Sequence, residues 1–189
     1  SGENPIVFTA KLATEEMNLC NIHFHENAEH KGGEFTEYAG NGDGHGYQSG
    51  YKYSGTFDGN ELKATAEEIC PSDHGSLKPG ATIEVHYVHS TSQVDPGPTL
   101  GACLNDAIGN PQLKVETQVY VLDFAELTAH DKSSGKNQAL NIPNYTGIPV
   151  TYTGSTTGPD YNEEGSAFQV NWSVRPEVVK VNIETVGKW

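Results

Sequence analysis

The sequence predicts a mainly β protein: one catalytic domain spanning residues 1–189, built on a central, largely antiparallel sheet with few short helices. Glycine and proline are frequent, at 21 and 10 residues, and break the chain into short lengths. Between the breaks lie segments rich in Val, Ile, Thr, Tyr and Phe, side chains that fit a pleated, half-buried surface. No shift in composition marks a second domain, and 189 residues suffice to bury a single core.

Strands are expected, in order, at Pro5 to Leu12, Leu19 to His25, Gln48 to Phe57, Ala81 to Thr91, Lys114 to Phe124, Pro149 to Thr153, Ala167 to Val174 and Val178 to Glu184. One helix is expected over Glu61 to Ile69, because Leu, Lys, Ala and Glu lose little side-chain freedom in helical geometry. Gly40 to Gly46 and His130 to Asn137 read as polar loops, where glycine admits backbone angles closed to other residues. The sequence has no internal repeat and no coiled-coil period.

Asp and Glu number 25 against 11 Lys and Arg, a formal net charge of -14. That charge repels phosphate backbones and anionic membranes, so neither nucleic acid nor membrane insertion is expected. The acidity is spread along the chain and reads as a solvated surface. No apolar run is long enough to span a bilayer, and Ser1-Gly2-Glu3-Asn4-Pro5 lacks the basic and apolar regions of a signal peptide. Cys20, Cys70 and Cys103 form no Cys-x-x-Cys pair, which argues against a thiolate metal cluster. Their spacing leaves disulfide pairing open; one bond with a spare thiol suits a secreted or periplasmic location, the expected one.

The chemistry lies in the histidines. In Asn21-Ile22-His23-Phe24-His25 alternate side chains of a strand share a face, so His23 and His25 point the same way. By the same rule Glu84, His86 and Val88 share a face in Thr82-Ile83-Glu84-Val85-His86-Tyr87-Val88-His89. A lone His-x-His is an ordinary strand feature, but if the two strands are neighbours, three imidazoles meet and leave one coordination place open. Structural zinc sites are closed by four protein ligands, so an open one argues for a bound water as the reactive group. Glu84 can hold the second ring nitrogen of a ligating histidine, fixing its tautomer. Glu29 reads equally as a partner or as a solvated surface acid.

These segments resemble the zinc strands of α-class carbonic anhydrases, which read His-Phe-His, Glu-His and Glu-Leu-His-Leu-Val-His. The counterparts are His23-Phe24-His25, Glu29-His30 and Glu84-Val85-His86-Tyr87-Val88-His89. Tyr152-Thr153-Gly154-Ser155-Thr156-Thr157-Gly158-Pro159 resembles that family's Tyr-x-Gly-Ser-Leu-Thr-Thr-Pro-Pro loop, and Val170-Asn171-Trp172-Ser173-Val174 its Val-Thr-Trp-x-Val strand. The match covers about a quarter of the chain. The first histidine comes only 23 residues in, so the long N-terminal part of α enzymes, with its proton-shuttle histidine, has no counterpart. His25 to Glu29 is shortened, and an insertion separates His30 from Glu84. An α-like site on a rearranged chain resembles the δ class, known from marine diatoms and also from bacteria.

The resemblance implies zinc held by His23, His25 and His86, with Glu84 behind His86. It implies that Glu29 orients a threonine hydroxyl, that of Thr157, or of Thr156 if the loop is one residue out of register. Val88, one of Val119 and Val121, and Trp172 would form the apolar wall for carbon dioxide, while His30 and His89 would be structural. The implied partners are carbon dioxide and bicarbonate, with a homodimer left open. A proton must leave at each turnover; His45 and His74 are the free loop histidines for it, and His130 reads as idle. The alternatives are a cupin-type enzyme, with His23, His25, Glu29 and His86 as ligands, and a non-catalytic zinc-binding module.

Overall fold

The computed structural model describes residues 10, 12–43, 48–108, 111–124, 146–156 and 168–187. Its strands are β1 (Asn18–Glu26), β2 (Glu37–Asn41), β3 (Ser49–Lys52), β4 (Ile69–Ser72), β5 (Gly75–Leu77), β6 (Thr82–Ser90), β7 (Leu113–Asp123), β8 (Val150–Thr156), β9 (Phe168–Val174) and β10 (Val179–Asn182), followed by the helical turn α1 (Ile183–Val186). The main sheet runs β1-β6-β7-β9-β8, with β10 also on β7; β2-β3 and β4-β5 form separate two-stranded sheets.

This sheet is mixed, which corrects the expectation of a largely antiparallel one. β1 and β6, β6 and β7, and β8 and β9 pair antiparallel, whereas β9 and β10 both run parallel to β7. The cause is the length of β7. β9 pairs with Leu113 to Thr117 and β10 with Tyr120 to Asp123, so two successive segments share one side of a long strand. Between them lies Pro176, which has no N–H for a ladder.

The pleat separates two apolar layers. Leu19, Ile83, Val85, Tyr87, Tyr120, Leu122, Val179 and Val181 pack together on one face, with Ile69 and Leu77 of the β4-β5 hairpin against them. The opposite face carries a cluster around Val88, Val115 and Val170 and another of Ala28, Phe35, Val119 and Val174. Strict alternation would put Leu19 and His23 on one face. A bulge between Leu19 and Asn21 resets it, so that Leu19 opposes His89 while Asn21 opposes Val88.

Local expectations fare unevenly. Glu61 to Ile69 is not a helix. Asp58 Oδ1 accepts from the Asn60 and Glu61 N–H groups, and Glu61 accepts from the Asp58 N–H. That makes one turn, which does not propagate: Glu61 is held by Lys180, and Ile69 opens β4 in the core. A single turn carries the nucleation cost without the bonds that follow. β3 is shorter than expected, and β2, β4 and β5 were not expected, being short and rich in Gly, Ser or polar residues. Gly40 and Asn41 end β2 rather than starting a loop. The last expected strand divides at Asn182, whose side chain accepts from the Glu184 N–H and starts α1. Most of Pro5 to Leu12 and all of His130 to Asn137 lie outside the described residues.

Candidate metal centre

The pairing of β1 with β6 places His23 opposite His86 and His25 opposite Glu84. Directly opposed residues project to the same face, so the three imidazoles converge. Their ring centroids are 5.2 Å apart for His23 and His25, 5.1 Å for His23 and His86, and 5.0 Å for His25 and His86. One nitrogen from each lies within 4.8 Å of the others.

The remaining nitrogens are engaged. His23 Nδ1 donates to Asn21 Oδ1 at 2.5 Å, and Asn21 is fixed by its own bond to the Gly97 carbonyl at 2.9 Å. His86 Nε2 donates to Glu84 Oε1 at 2.6 Å. Glu84 is fully buried and also accepts from His30, through Nδ1 at 3.1 Å and through the backbone N–H at 3.4 Å. The Tyr152 hydroxyl donates to His30 Nε2 at 2.7 Å, and the Tyr152 ring lies parallel to Trp172 with centroids 6.0 Å apart. Glu29 reaches into the same space, 3.4 Å from His25 Nε2 and 4.0 Å from His86 Nε2.

These contacts set the charge states. Burial raises the Glu84 carboxyl, but the bonds from His30 and His86 outweigh it and hold it at about 2. Burial, then the neighbouring His86 and His25, lowers His23 to about 3. Burial also lowers His25, against the pull of Glu29. For His30, burial is outweighed by Glu84 and the value rises. His23 and His25 are therefore neutral at physiological pH, the form that binds a metal.

Glu29 and His30 follow β1, and their placement depends on a clamp. The Asn27 N–H bonds to the Thr82 carbonyl at 2.7 Å, and Ala28 exchanges two 2.8 Å backbone bonds with Tyr51. At Gly50, φ is +93°, and a Cβ would lie 2.2 Å from the Ala28 carbonyl oxygen. Only glycine lets β3 approach this closely.

An apolar wall adjoins the triad. Register runs Val88 to Val115 to Trp172 to Tyr152 across the sheet, one pleat from the row His23, His86, Thr117 and Val174. Val88 and Val115 are buried together with Trp172 against them, and the Trp172 ring is 5.4 Å from that of His86. Val119 packs instead with Ala28, Phe35 and Val174, and Val121 stands opposite Thr82. Cys20, in the β1 bulge, is bonded to Cys103 with Cα atoms 5.1 Å apart, and Cys70 is free.

Thr156 ends β8 opposite Phe168, while Thr157, His45 and His130 lie outside the described residues. His74 sits in the β4-β5 turn with Nδ1 3.4 Å from Asp43 Oδ2. His89 is buried on the other face of β6, where burial lowers it to about 4. Asn21 and Val115 were not singled out from the sequence. Asn21 was accessible by the two-residue spacing that identified Glu84; Val115 depends on the β6-β7 register, which the sequence does not encode locally.

No curated protein and no solved structure matches the chain. A family model described as delta carbonic anhydrase matches residues 14–185, a span that contains all three clustered histidines and their partners. Carbonic anhydrases are metalloenzymes, and a neutral imidazole triad with its outer nitrogens already bonded has the donor chemistry such an enzyme needs. The chain belongs to the delta carbonic anhydrase family.

Proposed function

We propose that this enzyme hydrates carbon dioxide reversibly with zinc held by His23, His25 and His86. The supporting observation is the triad itself: three imidazole nitrogens within 4.8 Å of one another, on two paired strands, with Asn21 and Glu84 fixing two of the rings. Three neutral nitrogen ligands suit zinc and leave it its full charge and a place for solvent. Zinc so held supplies the Lewis acidity that makes hydroxide available from water at neutral pH, for which carbonic anhydrase is the type example.

The chain's residues supply orientation and a dry place for the substrate. Val88, Val115 and Trp172 form the surface on which carbon dioxide rests, with Val119 as the deeper neighbour along β7. Glu29 faces His25 and His86 and accepts a hydrogen bond from the Thr157 hydroxyl, or from Thr156 in the alternative register, so that the nucleophile is aimed at the substrate carbon. Glu84 holds His86 while His30 and Tyr152 hold Glu84, so the ligand does not reorient during turnover. Membership of the family removes the cupin-type and non-catalytic readings. The Cys20–Cys103 bond supports an exported location, since such bonds persist in oxidising compartments.

His86→Ala is expected to lose both zinc, by metal analysis, and hydration, by stopped-flow assay. Full activity in that variant would remove the ligand assignment.

A further inference from the structure

Hydration joins a water oxygen to the carbon of carbon dioxide and releases one proton for each bicarbonate formed, so the buried triad must discharge a proton at every turnover. Around the triad, Glu84 is committed to two histidines, and the side facing Val88, Val115 and Trp172 is apolar. The polar side is that of Glu29, and it opens into a cavity of about 540 Å³ whose lining includes His25, Glu26, Glu29, Cys70, Ser72 and His74. This cavity wraps the outer edge of β1. The β4-β5 hairpin packs on one face of the sheet through Ile69 and Leu77, and its turn borders the same space as His25 and Glu29 on the other. At about 30 Å³ per molecule the volume holds on the order of fifteen waters, enough to connect the two sides.

We propose that His74 is the proton relay of this enzyme, receiving the released proton through water in this cavity and passing it to buffer. The inference deepens the function proposed above and rests on it. His74 is suited by position: its side chain is 40% exposed, so bulk base can reach it. Its Nδ1 faces Asp43 Oδ2 at 3.4 Å, which leaves Nε2 as the acceptor. The proton bonds to the Nε2 lone pair and departs with a buffer base, returning the ring to neutral. The charged or titratable groups facing this space are Asp43 from the β2-β3 connection, His25, Glu26 and Glu29 from β1 and the residues after it, and Cys70 from β4. Imidazole is the side chain whose ordinary range spans neutrality, as a two-way proton carrier requires.

The test compares zinc-loaded wild type with His74→Ala in dilute buffer, with zinc content measured on the same samples. The expected result is a roughly tenfold fall in kcat, kcat/KM for carbon dioxide within about twofold of wild type, unchanged zinc, and recovery of kcat on adding imidazole to the solution. An unchanged kcat, a parallel fall in kcat/KM, loss of zinc, or no recovery with imidazole would each overturn the relay. So would a fall in His45→Ala with His74→Ala unaffected. Wild type that binds zinc without hydrating carbon dioxide would instead sink the proposed function, and the relay with it.

Discussion

Asn21 shows how a single side chain tunes the centre. It accepts from His23 Nδ1 while its own amide is tied to the Gly97 carbonyl, so the His23 ring is held with its other nitrogen towards the triad. Asn21→Ala should weaken zinc binding about tenfold with the fold intact, as read by competition with a chelator and by circular dichroism. Glu84→Gln should weaken zinc further than Asn21→Ala, because Glu84 serves both His86 and His30. His89 gives the pH dependence. Burial holds it at about 4 against the ordinary 6.5, so between these values the unfolded chain binds more protons than the folded one. Stability therefore falls as pH drops from 6.5, and the loss, on the order of 3 kcal/mol, is complete below pH 4. The urea midpoint of wild type should drop more on acidification across this window than that of His89→Gln.

At the scale of elements, the clamp between β3 and the end of β1 sets Glu29 and His30. Gly50→Ala would drive a Cβ to 2.2 Å from the Ala28 carbonyl at a φ of +93°. It should destabilise the protein by about 2 kcal/mol or more and lower turnover through displaced Glu29, measured by thermal unfolding and hydration assay. Sequence alone revealed β1, β6, β7 and β9 because their apolar alternation is long. It did not reveal β2, β4 or β5, whose three to five residues carry too few β-branched side chains to signal. The expected helix at Glu61 had the right composition, and a tertiary contact from Lys180 decided otherwise. The histidines, Glu84 and Glu29 could be read because strand periodicity is local; the wall residue Val115 could not, since register depends on which strand becomes the neighbour.

Across the whole molecule, one sheet serves two purposes. The Tyr87 face holds the core cluster that includes β10 and α1, and the Val88 face holds the metal centre and its wall. The Cys20–Cys103 bond joins residues 83 apart in sequence, so replacing both cysteines by serine should cost about 2–5 kcal/mol. Denaturant unfolding with and without reductant measures this. Parallel pairing of β9 and β10 with β7 could not be anticipated from the strand candidates, because it follows from β7 being long enough to seat both.

Two of the three imidazoles ride on β1, a strand with a ladder partner on one side only among the described strands of the main sheet. Such borders ordinarily fray, yet this one is riveted at Cys20 and again at Ala28. The dwell time of a captured ion should then depend on the rivets more than on the cage: stripping by a chelator is slow while the Cys20 rivet is intact and quickens once reductant opens it.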